Sequence, residues 1–214
     1  MDEEYEEVDE VIENETIITI FTLGEKTVGK TSFVSKYSEN TFSEDYCASI
    51  IIEHKDKCLE KNGKKYILRF FALPPLDITN QNLIKLECNG IIFLYDITNK
   101  NSFDNISEYI EIAQKQKGKN FPMILLGNKI DKEADRQISK EDGEKLAKTK
   151  GINFSEISVK EETNVDEAVN SLINQIFETN PKLKDNIENA PMLNENQKGD
   201  KKDNSDPCPC CSIF

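Results

Sequence analysis

TIITIFTLGEKTVGKT, residues 16–31, is the stretch that is most informative about the fold of this chain. Its first eight residues are mostly apolar and β-branched, which predicts a buried strand. The strand runs into GEKTVGKT (24–31), which matches the pattern G-x-x-x-x-G-K-[ST] at every required position. A helical pattern follows over residues 30–39. Strand, loop and helix therefore stand in the order that a phosphate-binding loop requires.

The residue types of this phosphate loop (residues 24–31) suit the phosphates of a nucleotide. Gly24 and Gly29 let the backbone turn its N–H groups toward an anion, and Lys30 neutralises the β- and γ-phosphates. Thr31 offers a hydroxyl to Mg²⁺, and the helix N-terminus adds positive partial charge. The predicted phosphate-binding residues are Gly24, Glu25, Lys26, Thr27, Val28, Gly29, Lys30, Thr31 and Ser32.

Strand and helix patterns alternate along the rest of the chain, which predicts an α/β fold with a mostly parallel sheet. Two near-continuous apolar runs are typical of central strands that are buried on both faces. The predicted strands are 16–24, 50–59, 65–73, 89–98 and 121–129, and the predicted helices are 30–39, 102–116 and 166–178.

Charge and cysteine usage limit the class of protein. The net charge is −13, and residues 1–15 hold nine acidic residues and no basic one, which predicts a disordered, solvated arm. This acidity argues against nucleic-acid binding. The six cysteines form no disulfide framework, which favours a reducing cytosolic setting. The N-terminal residues do not have the pattern of a signal peptide, and no apolar run is long enough to span a bilayer.

GNKID (127–131) ends an apolar run and contains the pattern N-K-x-D. The Asp131 carboxylate can accept hydrogen bonds from both the ring N–H and the exocyclic amine of guanine, a pair of donors that adenine does not present. ISVK (157–160) follows another short apolar stretch and is placed to support the base. The predicted guanine-binding residues here are Asn128, Lys129, Asp131, Ser158, Val159 and Lys160. A nucleoside kinase is the alternative for the phosphate loop alone, and the N-K-x-D pattern speaks against it.

Together these motifs resemble the Ras-like small GTPases, and among them the Rab family. YSENTFSEDY (37–46) and LYDITNKNSFDNI (94–106) are also similar to Rab sequences. The resemblance implies a small G-protein fold with a six-stranded sheet, and GTP or GDP with Mg²⁺ as cofactors. It further implies that Phe42 lies against the guanine and that Ser49 lies near Mg²⁺.

One strand departs from the family pattern. GKKYILRFFALPPL (63–76) aligns with the strand that ends in W-D-x-A-G-Q, so that Ala72 replaces the aspartate, Pro75 the glycine and Leu76 the glutamine. Ala72 cannot hold a Mg²⁺-bound water, Pro75 has no N–H for the γ-phosphate, and Leu76 cannot orient an attacking water. A shifted register that begins at Asp77 is the alternative, and it requires a longer strand.

These replacements predict guanine-nucleotide binding with slow or absent hydrolysis, and no catalytic residue is assigned. Lys26 adds to this interpretation, because a long cation at a position that is usually small in the family would crowd an incoming arginine finger. Two functions follow: a Rab-like switch that cycles between GTP and GDP, or a nucleotide-bound binding module that does not cycle by its own hydrolysis.

Two parts of the sequence suggest partners: residues 50–71 and the terminus, residues 207–214. By the resemblance, the effector face contains Ile50, Ile52, His54 and Phe71. The terminus PCPCCSIF (207–214) is similar to a Rab C-C-x-x-x ending, and its CSIF fits a geranylgeranylated C-a-a-X, with Cys210 and Cys211 as lipid sites and Cys208 as a spare acylation site. A zinc site is the alternative, and adjacent cysteines suit it poorly.

The predicted organisation is an acidic arm (1–15), a small GTPase domain (16–180) and a flexible tail (181–214). The resemblance implies a monomer on the cytosolic face of intracellular membranes, with a soluble cytoplasmic pool. It also implies Rab-type effectors, an exchange factor and the prenylation and escort machinery as partners.

Overall fold

A computed structural model of the chain describes residues 16–42, 53–61, 63–75 and 87–180, and Leu183. The acidic arm and the cysteine-rich terminus lie outside these residues. So do the following predicted site residues: Ser49, Ile50, Ile52, Leu76, Cys208, Cys210 and Cys211.

A six-stranded sheet forms the centre of the domain, with the order β2-β3-β1-β4-β5-β6. Only β2 is antiparallel to its neighbour, β3, and the other neighbouring strands are parallel. The strands are β1 (Thr16–Leu23), β2 (Glu53–Lys61), β3 (Lys64–Ala72), β4 (Gly90–Asp96), β5 (Met123–Asn128) and β6 (Asn153–Ile157). This sheet confirms the predicted α/β fold with its mostly parallel six-stranded sheet.

Helices of the described part of the chain cover both faces of the sheet. They are α1 (Lys30–Glu39), α2 (Lys100–Lys117), α3 (Lys140–Lys150) and α4 (Val165–Thr179), with a 3₁₀ segment at Ile130–Asp135. Three of these helices match the predicted ones within two residues at each end. Helix α3 and the 3₁₀ segment were not predicted.

Two apolar cores lie on opposite faces of the sheet. Alternate residues of β1 point to each face: Ile18 and Ile20 pack in the core beneath α1 and α4, and Phe21 and Leu23 pack in the core beneath α2 and α3. Every residue of β4 and β5 is buried, as expected of strands with helices on both sides. Leu183 also packs in the first core, so packing continues past residue 180.

Strand β3 ends early because of its prolines. The Leu73 N–H still donates to the Thr22 carbonyl at 3.0 Å, but Pro74 and Pro75, which have no N–H, follow it. The strand therefore ends at Ala72, five residues before Asp77. The described residues give the longer strand of the shifted register no support.

Among the described residues, no helix has the length and apolar character needed to cross a bilayer.

Candidate nucleotide-binding site

The predicted phosphate and guanine segments meet at one edge of the sheet. The phosphate loop follows β1, the N-K-x-D segment (residues 128–131) ends β5, and the S-V-K segment (residues 158–160) follows β6. Because these strands are parallel, their carboxyl ends lie at the same edge. The fold thus collects residues that are more than a hundred positions apart in sequence.

The phosphate loop curls around its own lysine. The Lys30 ammonium donates to the carbonyl oxygens of Gly24 at 2.9 Å and Glu25 at 2.7 Å. Burial lowers the pKa of Lys30 to about 8, although the charge of Glu25 opposes the shift. Among the described residues no carboxylate is in contact with this half-buried ammonium, so it is available to a polyphosphate.

The loop ends at the open N-terminus of α1. Gly29, the N-cap, adopts φ 101°, a left-handed conformation that favours glycine, and it supplies no capping side chain. A Cβ at Gly29 would lie 2.6 Å from the Asn128 side-chain nitrogen, so only glycine lets the loop and β5 approach this closely. The first N–H groups of α1 are free of intrahelical partners by geometry and suit an anion. Thr31 lies exposed in this first turn.

Helix α2 holds the second residue of the loop. The Glu25 carboxylate accepts hydrogen bonds from the Tyr109 hydroxyl at 2.8 Å and from the Asn105 side chain at 3.1 Å. Its side chain is therefore turned toward α2, and only its backbone faces the loop. Lys26 and Thr27 are exposed, and Thr27 adopts a left-handed φ of 63°.

Asn128 joins the three segments of the site. Its side-chain nitrogen donates to the Val28 carbonyl at 2.9 Å, and its side-chain oxygen accepts from the Val159 N–H at 3.2 Å. All three residues are buried. Asn128 thus fixes the distance between the phosphate loop and the S-V-K segment, rather than contacting only a ligand.

Lys129 forms a second connection. Its ammonium donates to the Thr27 carbonyl at 2.9 Å and forms an ion pair with Asp96 at 2.6 Å. The Asp96 carboxylate, at the end of β4, also accepts from the N–H and hydroxyl of Thr98 at 2.9 and 2.7 Å. The charge of Lys129 is thereby held over the phosphate loop, and its stem can cover one side of a bound base.

Asp131 is oriented by a hydroxyl. The Ser158 hydroxyl donates to one Asp131 oxygen at 2.6 Å and itself accepts from the Glu161 N–H at 3.0 Å. Asp131 is exposed in the 3₁₀ segment, so its carboxylate is accessible. Of the S-V-K segment, Ser158 and Val159 are buried and Lys160 is exposed.

These residues fit a guanine nucleotide. A cation without a carboxylate in contact, an open helix N-terminus and an oriented, accessible carboxylate suit a phosphate at one end and a base with two donors at the other. The fit to Mg²⁺ rests on fewer groups: Thr31 supplies a hydroxyl, and Ala72, which is half-buried at the end of β3, supplies no oxygen.

Other predicted residues lie apart from this group. Phe42 follows α1 and is 37% exposed. On the β2–β3 pair, His54 is exposed and its ring lies against Phe71, tilted by 34° with ring centroids 5.2 Å apart, and Phe71 packs edge-on against Phe21 at 5.7 Å. The structure thus brings together two of the four residues assigned to the effector face.

The sequence interpretation missed Asp96 and Tyr109. Asp96 had a signal, since it is the only charged residue in the buried run 90–96. Tyr109 had none, because its partner Glu25 lies 84 positions away.

Comparison with known proteins agrees with this geometry. The sequence profile of the Ras family matches residues 19–178. The chain is similar to Ras-related protein Rab-13 of Mesocricetus auratus (32% identical over 199 residues, 90% of this chain and 95% of that protein). It is also similar to Ras-related protein Rab-12 of Mus musculus (32% identical over 167 residues, 77% and 69%) and to Ras-related protein Rab-8B of Pongo abelii (35% identical over 177 residues, 79% and 83%). With the sheet order and the joined phosphate and N-K-x-D segments, these matches establish that the chain belongs to the Ras family of small GTPases and, within it, to the Rab family.

Proposed function

We propose that this chain binds GTP and GDP with Mg²⁺ and acts as a lipid-anchored, Rab-like molecular switch in intracellular vesicle traffic. Membership of the Rab family supports the trafficking role. The observation that supports nucleotide binding best is the bond from Asn128 to the Val28 carbonyl, because it joins the phosphate loop to the N-K-x-D segment. Phosphate and base could then be held by one rigid unit.

In this proposal each end of the nucleotide has its own residues. Lys30 and the first N–H groups of α1 hold the phosphates, and the hydroxyl of Thr31 reaches Mg²⁺, with Ser49 as a further contact. The Asp131 carboxylate, oriented by Ser158, accepts hydrogen bonds from the ring N–H and the exocyclic amine of guanine. Phe42 covers the guanine ring. Bound Mg²⁺ would neutralise charge on the β- and γ-phosphates.

We further propose that GTP hydrolysis is slow or absent. The end of β3 supports this, because Ala72 pairs with Thr22, two residues before the phosphate loop. That position lies beside the residues that lead into the phosphate loop, and a methyl group there could not order a Mg²⁺-bound water. Pro75 cannot donate to the γ-phosphate, and Leu76 cannot orient the attacking water. Binding uses the phosphate loop and hydrolysis uses these lost groups, so one can persist without the other.

The same replacements favour a second candidate function, a guanine-nucleotide-bound binding module that does not cycle by its own hydrolysis. Under this reading the nucleotide stabilises the fold and the partner surface. The two functions differ in whether an activating protein can supply the missing groups and return the chain to its GDP state.

The proposed localisation rests on the tail, and the proposed partners rest on the exposed face that carries His54 and Phe71. We propose an arm (1–15), a GTPase domain (16–180) and a tail (181–214) that carries geranylgeranyl groups on Cys210 and Cys211. These lipids would place the chain on the cytosolic face of intracellular membranes. Effectors would meet the His54–Phe71 pair, together with Ile50 and Ile52.

Identification of the nucleotide that copurifies with the chain tests this proposal. The protein is purified without added nucleotide, denatured, and its supernatant separated by ion-exchange chromatography. We expect about one guanine nucleotide per chain, with a substantial fraction as GTP because hydrolysis is slow. Adenine nucleotides, or no nucleotide at all, would contradict binding, and GDP alone would contradict slow hydrolysis.

A further inference from the structure

A cavity of about 570 Å³ opens at the edge of the sheet opposite the nucleotide site. It is lined by Asn89, just before β4, and by Pro122, just before β5, and by residues at the C-terminal ends of α2 and α4. Since the nucleotide site lies at the carboxyl ends of the parallel strands, this basal cavity lies at their amino ends. It shares no residue with the site.

The walls of the basal cavity combine positive charge with apolar surface. Lys117 and Lys119 supply the charge, and the half-buried ring of Phe121 supplies apolar surface. Lys117 lies over the Phe121 ring, 5.8 Å from its centroid. Lys119 is exposed and forms no ion pair with any described residue. A ligand that combines carboxylates with apolar side chains fits these walls.

The start of β1 is tied to this cavity. The Asn89 N–H donates to the Thr19 carbonyl at 2.7 Å, and the Asn89 side-chain oxygen accepts from the Thr19 N–H at 2.8 Å. β1 begins at Thr16, three residues before Thr19 and about 10 Å from it along the strand. Ile17, which is 45% exposed, lies on the same face of β1 as Phe21 and extends the apolar surface in this direction.

We propose that the acidic arm, residues 1–15, occupies the basal cavity of its own chain. The arm holds nine acidic residues and no basic one, and four apolar residues are interspersed among them: Tyr5, Val8, Val11 and Ile12. Its carboxylates pair with Lys119 and lie near the charge of Lys117, and its apolar side chains pack against Phe121. Fifteen residues span up to about 50 Å, so the arm reaches the cavity from Thr16 with length to spare.

Charge distinguishes the arm from the tail, the other segment that starts near the cavity. Residues 181–214 hold five lysines and six acidic residues and are close to neutral. Near the start of the tail, Leu183 is buried in the core beneath α1 and α4. A short connection gives the arm an effective concentration in the millimolar range, which an independent partner rarely matches.

Zero-length cross-linking of the full chain tests the proposal. A carbodiimide joins carboxylates to lysines in contact, and mass spectrometry identifies the joined peptides. We expect arm carboxylates joined to Lys119 at least about ten times more often than to Lys100, which is also exposed but lies at the other end of α2, roughly 25 Å from Lys117 along the helix. Raising the salt to about 1 M should suppress the product, because it shortens the Debye length to roughly 3 Å.

Three cross-linking results would overturn the proposal: equal yields at Lys100 and Lys119, cavity lysines joined mainly to carboxylates of the tail, or products that join isotopically light and heavy copies of the chain. The last two results would assign the cavity to the tail or to a second copy.

Access to Cys88 provides an independent measurement. This half-buried thiol lines the cavity, and burial raises its pKa to about 11, so its alkylation is slow enough to time. Cys58, exposed on the edge strand β2, is the internal reference. Replacing the nine arm acids by Asn and Gln in the full chain should accelerate labelling of Cys88 at least about threefold relative to Cys58. An unchanged ratio would contradict the docked arm.

Discussion

Lys30 is a cation whose nearest partners are two backbone carbonyl groups, those of Gly24 and Glu25. Burial lowers its pKa to about 8, so its charge is weakly held in the nucleotide-free protein. In the unfolded chain the lysine keeps its proton to higher pH. The unfolded state therefore binds more protons than the folded state in this range, and the free energy of unfolding increases as the pH rises from about 8 to 10.

Nucleotide affinity should show the opposite dependence on pH. Phosphates stabilise the charged form of Lys30, so binding takes up a proton above pH 8. We expect the affinity for GDP to fall by up to about tenfold between pH 7 and pH 9. Titration of fluorescent GDP measures it. A Lys30→Arg variant, which stays charged, is the control, and equal slopes for both proteins would contradict the assignment.

Asp131 should determine the choice of base. In Asp131→Asn the side chain presents one acceptor and one donor group, and the guanine N–H and amine lose their shared carboxylate partner. We expect GTP affinity to fall at least about 100-fold, since a site built for hydrogen bonds discriminates strongly. Asp135→Asn, in the same exposed 3₁₀ segment, should leave affinity unchanged. Competition with labelled GDP measures both, and matching values would argue against the base contact.

At the scale of elements, side chains on the loops hold the strand ends in place. Asn128 at the end of β5 bonds the phosphate loop on one side and the S-V-K segment on the other. Lys129 links the phosphate loop to Asp96 on β4. The site is therefore part of the folded core, and loss of a link should change stability as well as affinity.

Asn128→Ala tests this coupling in the absence of added nucleotide. The change leaves the Val28 carbonyl and the Val159 N–H buried and unpaired, at about 1–3 kcal/mol each. We expect the free energy of unfolding in urea to fall by roughly 2–6 kcal/mol. Asn170→Ala, on the exposed face of α4, should change it by less than about 0.5 kcal/mol. Equal effects of the two substitutions would mean that Asn128 only contacts a ligand.

The elements with clear apolar patterns could be predicted from the sequence, and the polar helix α3 could not. β4 and β5 are near-continuous apolar runs, β1 is mostly apolar, and α4 has a complete apolar stripe. Helix α3 was missed because KEDGEKLAKTK buries only Gly143 and Ala147. It had terminal signals, Ser139, whose hydroxyl accepts from the Asp142 N–H as an N-cap, and Gly151 at its C-terminus, but no apolar stripe between them.

The site was predictable where a short motif specifies it and hidden where two distant segments combine. The phosphate loop and the N-K-x-D segment are contiguous in sequence, so their residues could be named. The bond from Glu25 to Tyr109 and the ion pair of Lys129 with Asp96 depend on how the strands are ordered in the sheet. Sequence periodicity does not contain that information.

For the whole molecule, the domain combines a nucleotide site at one edge of the sheet with a basal cavity at the other. The tail leaves α4 beside that cavity. In our account the membrane anchor and the acidic arm therefore lie at the same pole, far from the nucleotide. In the same account, effectors would meet the chain at the side, where the ring of His54 lies against that of Phe71.

Membrane binding should require the two terminal cysteines. One lipid chain binds a bilayer only marginally, and two chains bind stably. In cells, the Cys210→Ser, Cys211→Ser double variant should move from the membrane fraction to the soluble fraction on flotation. Cys58→Ser, on β2, should float like the chain without substitutions. A double variant that still floats would contradict the proposed lipid sites.

In our account the pocket binds its nucleotide, but the end of β3 and the residues after it have lost the groups that activate water. Single-turnover hydrolysis of GTP by the purified chain tests this most directly. Preloaded protein is quenched at intervals and the GDP formed is measured, with an Ala72→Asp, Pro75→Gly, Leu76→Gln triple variant as a faster control. The intrinsic rate of Ras is about 3–5 × 10⁻⁴ s⁻¹, and we expect the rate of this chain to be at least about tenfold lower. A rate at or above that value would contradict the account.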